Sequence, residues 1–255
     1  MITEHAWDCA ALQRRVPYCL HLPDAAPPPD GWPTLLLLHG RGRHHRSVVD
    51  APDTGPLLAA QPYAVLCPNG GDGWYLDLDG PGAPPAHRYQ TMLRELLTLA
   101  RTRHPLARVP ARTAVTGWSM GGYGAVRFAV DHPEAITAVS SIIGLLDFPN
   151  PALPAADNYA VPACFGRDPA AWPARNCLVT AERLRGKAFC LVAGRTAFDY
   201  RMNANFHARL TALGLAHEYV ELDGGHTWAT VAAAFPRVFA FTRTVFGAAS
   251  PGVPS

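Results

Sequence analysis

The chain has 255 residues, of which 49% are hydrophobic and only 16% are Asp, Glu, Lys or Arg, and its net charge is +2. That much apolar material fills a large α/β core and excludes a disordered chain, and so weak a charge excludes the basic field that nucleic-acid binding requires. The longest apolar run, Ala135 to Leu146, is interrupted by Thr137, Ser140, Ser141 and Gly144 and falls short of the ~18 residues of a membrane span.

The first residues, Met1-Ile2-Thr3-Glu4-His5, form neither a basic nor an apolar leader, so a cytoplasmic location is expected. Arg14 to Leu20 alternates Val16, Tyr18 and Leu20 and reads as an outer antiparallel strand, which Pro17 confines to an edge. Short apolar runs follow at Thr34–Leu38, Tyr63–Cys67, Thr113–Thr116, Ile136–Ser140, Ala188–Ala193 and His217–Leu222. Amphipathic stretches alternate with them at Tyr89–Arg103, Gly121–Val130, Tyr200–Leu213 and Trp228–Val245, with a pair of helices expected within Pro169–Leu184. In the first stretch Met92, Leu93, Leu96, Leu97 and Ala100 share one face, which should lie on the sheet. Such alternation predicts an α/β fold, a mostly parallel central sheet flanked by helices.

Proline-rich segments at Ala26–Asp30 and Gly80–Pro85 read as surface loops, and Phe148 to Pro173 as an irregular insertion over the sheet's C-terminal edge. Residues 1–246 are expected to form one domain and 247–255 a flexible tail. Cys9, Cys19, Cys67, Cys164, Cys177 and Cys190 show no paired spacing and read as free thiols. His39, His44 and His45 lack metal-ligand spacing and an acidic partner, so no metal is expected.

Gly117-Trp118-Ser119-Met120-Gly121 is a G-x-S-x-G sequence that directly follows one predicted strand and directly precedes a predicted helix. A tight turn there forces the serine into an unfavourable backbone region and holds its hydroxyl clear of the sheet, with the Met120 N–H aimed at a developing oxyanion. A serine hydroxyl is a poor nucleophile near neutral pH and needs a base with a carboxylate behind it. His226, in Asp223-Gly224-Gly225-His226-Thr227-Trp228 after the last strand, is the candidate base. Asp199, after the preceding strand, is the candidate acid or else a helix N-cap, and Asp147 one strand earlier is its rival. The strand at Leu35–Leu38 ends in His39-Gly40-Arg41-Gly42, from which the Arg41 N–H, or failing that Gly42, should supply the second oxyanion donor. His39 reads as a structural hydrogen-bonder.

These segments, with Gly73-Trp74-Tyr75-Leu76-Asp77 and the run Gly117 to Ala125, resemble the esterase D family of α/β-hydrolases. That family includes S-formylglutathione hydrolases, short-chain carboxylesterases, feruloyl-esterase-like enzymes and mycolyl transferases. The similarity runs from about Thr34 to Phe246 and implies the α/β-hydrolase fold, Ser119 as nucleophile, His226 as base and oxyanion donors at Arg41 and Met120. The chain departs from the family pattern twice. Where relatives place the acid it has Ala197, with Asp199 two residues further on, and its oxyanion loop is basic, with Arg41, Arg43, His44, His45 and Arg46.

The function expected is hydrolysis of a small ester or thioester through an acyl-enzyme, without a cofactor. Acyl transfer to an alcohol is the alternative, and a non-catalytic binding module on the same fold is a third reading. Trp74, Tyr75, Trp118, Trp228 and Arg43 are candidate substrate contacts, although the aromatic residues suit a core equally and the basic loop suits a solvated face.

Overall fold

The short apolar runs carry branched side chains on both faces, so they can be buried only as strands covered from two sides. The structure, a computed structural model, describes residues 1–78 and 86–248. Its strands are β1 (Ile2–Cys9), β2 (Arg14–His21), β3 (Thr34–Leu38), β4 (Ala64–Pro68), β5 (Thr113–Gly117), β6 (Ala138–Ile142), β7 (Ala188–Gly194) and β8 (Glu218–Leu222). The helices are α1 (Ser47–Asp50), α2 (Gly55–Ala59), α3 (Tyr89–Arg103), α4 (Met120–Asp131), α5 (Tyr200–Ala212) and α6 (Trp228–Ala248). One eight-stranded sheet runs in the order β1-β2-β4-β3-β5-β6-β7-β8. β1 and β2 are antiparallel to their neighbours, and β3 to β8 are parallel.

Side-chain alternation divides the core in two. Leu36 and Leu38 join Leu66, Val115, Val139 and Leu191 on one face, where α3 adds Met92, Leu93, Leu96, Leu97 and Ala100. Leu35 and Leu37 join Val65, Ala114, Ala138 and Val192 on the other, where α6 adds Val231, Phe235, Val238 and Phe239. Fully burying each such side chain is worth about 1.5–3 kcal/mol, so the cores fix the register of the strands and hence where each strand ends.

Four sequence expectations need correction. β2 is not an edge strand, because Ile2–Cys9 pairs along its whole length. Pro17 is tolerated because the β2–β4 ladder starts at Tyr18, one residue beyond it, and the Pro17 carbonyl still accepts the Asn69 N–H at 3.0 Å. The helical pair within 169–184 is a series of 3₁₀ turns at Pro169–Ala171, Pro173–Arg175 and Ala181–Leu184. The Asn176 side-chain oxygen takes the Leu178 N–H at 2.8 Å, a local bond that competes with helix propagation. Irregular chain therefore extends from Ile143 to the start of β7 at Ala188, well beyond Phe148–Pro173. At the C-terminus, Gly247 and Ala248 continue α6, and the rest of the expected tail lies outside the described residues, as does the Gly80–Pro85 loop.

Candidate active site

The parallel strands β3, β5, β6, β7 and β8 all deliver their following loops to one edge of the sheet, the edge at which open α/β sheets bind ligands. Ser119 stands in the turn between β5 and α4, with φ 55° and ψ −120°. A β-carbon on Gly121 would collide with the Leu38 carbonyl and one on Gly117 with the Gly121 backbone, so glycine is required at both positions. The Ser119 N–H is tied to the Ile142 carbonyl at 2.9 Å, which fixes the turn against β6.

His226 Nε2 lies 2.8 Å from Ser119 Oγ, and His226 Nδ1 lies 2.6 Å from Asp199 Oδ1. Because the carboxylate can only accept, Nδ1 carries the proton and Nε2 is left to accept from the serine hydroxyl. Asp199 occupies the N-cap position of α5, yet its side chain caps nothing. Its other oxygen accepts from Asn203 Nδ2 at 2.9 Å, and the same amide reaches the Gly144 and Asp199 carbonyls, also at 2.9 Å. Asp199 is completely buried, which pushes its carboxyl pKa up against the opposing pull of His226 and Asn203.

The loop after β7 explains how Asp199 reaches the imidazole from two residues beyond Ala197. Arg195 and Thr196 donate to the Leu222 and Gly224 carbonyls at 2.9 and 3.0 Å, so the chain follows β8 before turning into α5. Asp147, by contrast, accepts from Asn150, Asn176 and Asn205 at 2.8–3.0 Å and ties the irregular segment together.

The loop after β3 is held by His39. Gly70 donates to His39 Nε2 at 2.9 Å, which leaves Nδ1–H to donate to the Gly40 carbonyl at 2.8 Å. Burial pushes the His39 imidazole down to about 4, so it stays neutral. Within the loop the Gly42 N–H is taken by Asp72 Oδ1 at 2.8 Å and the Arg43 N–H by the Gly40 carbonyl at 3.1 Å. The Arg41 N–H has no partner among the described residues. Met120 opens α4, where the first N–H groups have no intrahelical acceptor.

Two cavities meet at Ser119 and His226. A larger one of about 430 Å³ is walled by Trp74, Leu145, Tyr159 and Phe198, with Arg41 and Asp72 also lining it. A smaller one of about 170 Å³ is lined by Arg41, Arg43, Trp118, Ile143, Trp228 and Val231. Trp74, Trp118, Trp228 and Arg43 thus reach the site. Tyr75 does not: it is fully buried, and its hydroxyl accepts the His39 N–H at 3.1 Å, so its expected substrate contact is corrected to support of the loop after β3. Asn203, Tyr159 and Phe198 were not singled out from sequence. Only the position of Asn203, one helical turn after Asp199, hinted at its contact.

The sheet, and a site assembled at the C-terminal ends of its parallel strands, define an α/β-hydrolase fold. The S-formylglutathione hydrolase from Agrobacterium tumefaciens shares it with a TM-score of 0.79 at 17% identity, over 96% of this chain and 95% of that one. A ferulic acid esterase gives a TM-score of 0.78 at 20% identity, over 96% of this chain and 98% of that one. A family model described as "Putative esterase" matches residues 9–242, and the chain belongs to this esterase family. An esterase of Mycobacterium tuberculosis is 26% identical over 226 residues, 77% of this chain and 49% of its own length. The S-formylglutathione hydrolase of Paracoccus denitrificans is 29% identical over 155 residues, 59% of this chain and 50% of its own. The chain therefore spans about half the length of these curated relatives.

Proposed function

We propose that the protein is a serine esterase that cleaves small carboxylic esters or thioesters through an acyl-enzyme. The continuous hydrogen-bonded line from Ser119 through His226 to Asp199 carries this reading. Ser119 Oγ attacks the carbonyl carbon as its proton passes to His226 Nε2, and the negative oxygen is received by the Arg41 and Met120 N–H groups. When the tetrahedral intermediate collapses, the bond to the alcohol or thiol breaks and His226 gives that leaving group the proton. Water then repeats the sequence, and the acid leaves with Ser119 restored. Asp199 holds the imidazole tautomer throughout.

The His226 side chain is 23% exposed, which favours water over an alcohol as the acceptor and so hydrolysis over acyl transfer. The complete line of three residues speaks against a non-catalytic module. A fluorophosphonate probe is expected to attach once per chain, at Ser119, and to block turnover of 4-nitrophenyl acetate. Labelling that persists in Ser119→Ala would overturn the assignment.

A further inference from the structure

Five basic side chains follow β3, and the fold neutralises only some of them. Arg46 binds both oxygens of Asp50 and also Glu4 at 2.7–2.9 Å, and His45 Nε2 meets Glu4 at 2.9 Å. Glu4 lies on β1, so the outermost strand of the sheet discharges the far end of the loop. Arg41 and Arg43 form no ion pair among the described residues, and both line the smaller cavity beside Ser119. The Arg41 guanidinium is steadied by the Tyr159 hydroxyl, to which it donates, and lies 6.0 Å from that ring.

The nearby carboxylates of Asp72 and Asp53 form no ion pair with Arg41 or Arg43 among the described residues, although Asp72 shares the larger cavity with Arg41. Asp72 receives the Gly42 N–H, and Asp53 receives the Trp228 indole N–H at 3.1 Å. Neither carboxylate lines the smaller cavity, whose remaining walls include Trp118, Ile143 and Val231. Arg41 and Arg43 are exposed at the cavity mouth, so their attraction for an anion is screened by salt, and the planar fork of arginine matches a carboxylate. The larger cavity shares Arg41 with the smaller one and has Asp72 at its rim, but the rest of its wall is aromatic and apolar: Trp74 and Leu145 are buried in it, and Tyr159 stacks on Phe198 with centroids 5.8 Å apart.

We propose that the substrate is an ester with two unlike halves, a short one ending in a carboxylate held by Arg43 in the smaller cavity, with Arg41 at the border between the two cavities, and an apolar or aromatic one in the larger. This rests on the esterase reading above and adds the substrate class. Each half of an ester flanks the carbonyl carbon, so a molecule attacked by Ser119 reaches both cavities at once.

Two matched pairs of substrates test it. Monophenyl succinate and its methyl ester carry or lack the charge on the acyl half, followed by phenol release; benzoyloxyacetate and its methyl ester do so on the alcohol half, followed by benzoate release. In at least one pair the anion is expected to exceed its neutral partner in kcat/KM by about tenfold or more at low ionic strength. The ratio should shrink as salt is added and collapse in Arg43→Ala, while Arg46→Ala, whose charge is already paired, should retain it. A ratio near one in both pairs, with Ser119-dependent turnover of the neutral esters, overturns the anion site and leaves the esterase reading standing. Absence of turnover of all four, together with no labelling of Ser119, overturns both.

Discussion

Asp199 is a buried carboxylate whose burial raises its pKa, so keeping it ionised costs folding energy that the hydrogen bonds from His226 and Asn203 partly offset. Asp199→Asn is therefore expected to melt at no lower temperature than the parent while kcat falls by about 10²–10⁴, because the imidazole loses the acceptor that fixes its tautomer. Calorimetry and ester turnover on one preparation check both halves of that statement. Asp147 makes the complementary case. It accepts from three asparagine side chains and does not touch His226. Asp147→Asn should loosen residues 148–184, seen as faster limited proteolysis there, with a smaller loss of kcat. If Asp147→Asn instead gave the larger kinetic loss, the acid would have been assigned wrongly. Asn203 acts through Asp199: Asn203→Ala leaves the Gly144 carbonyl and the carboxylate each short of a donor, at about 1–3 kcal/mol for each group left unpaired. It should lower both Tm and kcat.

Among the elements, the turn from β5 into α4 tolerates least. Gly121 lies against the Leu38 carbonyl, backbone that belongs to β3 and cannot rotate away as a side chain would. Gly121→Ala is expected to cost about 1–3 kcal/mol or more, and to lower activity further by shifting Ser119 relative to the loop after β3. A denaturant melt and the rate of fluorophosphonate labelling would report the two effects separately. Backbone strain gathers at the same edge of the sheet. Trp74, Ser119 and Ile143 have φ of 55°, 55° and 41° and line the cavities, while Tyr75, at 51°, supports the loop from below. A β-branched residue such as Ile143 is seldom found there, and the Val192 carbonyl holds its N–H at 2.7 Å.

Across the whole molecule, buried histidines tie stability to pH. Burial lowers the imidazoles of His21, His39, His87 and His132, with His39 brought down to about 4 from an ordinary 6.5. Between those values the unfolded chain binds protons that the folded chain does not, so stability declines as pH falls from about 6.5 toward 4. His39 alone accounts for about 3 kcal/mol of this, present at pH 7 and lost at the acid end. Urea midpoints at pH 7.5, 5.5 and 4.5 should fall in that order, and His39→Asn should flatten the trend. A midpoint independent of pH over that range would contradict the buried, neutral state of these rings.

Much of the architecture could be read from local pattern, because its causes are local. Alternating apolar runs specify strands buried on both faces, and glycines flanking Ser119 specify a turn whose sterics depend on a few neighbouring residues. What stayed open in the sequence depended on partners far along the chain. The choice between Asp199 and Asp147 turns on which loop meets an imidazole 27 residues beyond Asp199, and that imidazole in turn meets a serine 107 residues before it. β1 shows no clear alternation in sequence because its faces are mostly half-buried, yet its pairing makes β2 an interior strand. Likewise the five basic residues after β3 look alike in sequence. Only the fold, by bringing Glu4 to Arg46 and His45, decides which charges are spent and which remain facing Ser119. Sterics and burial act over a few residues or one period of the chain, whereas charge pairing and cavity walls are set by whichever loops the completed sheet brings side by side.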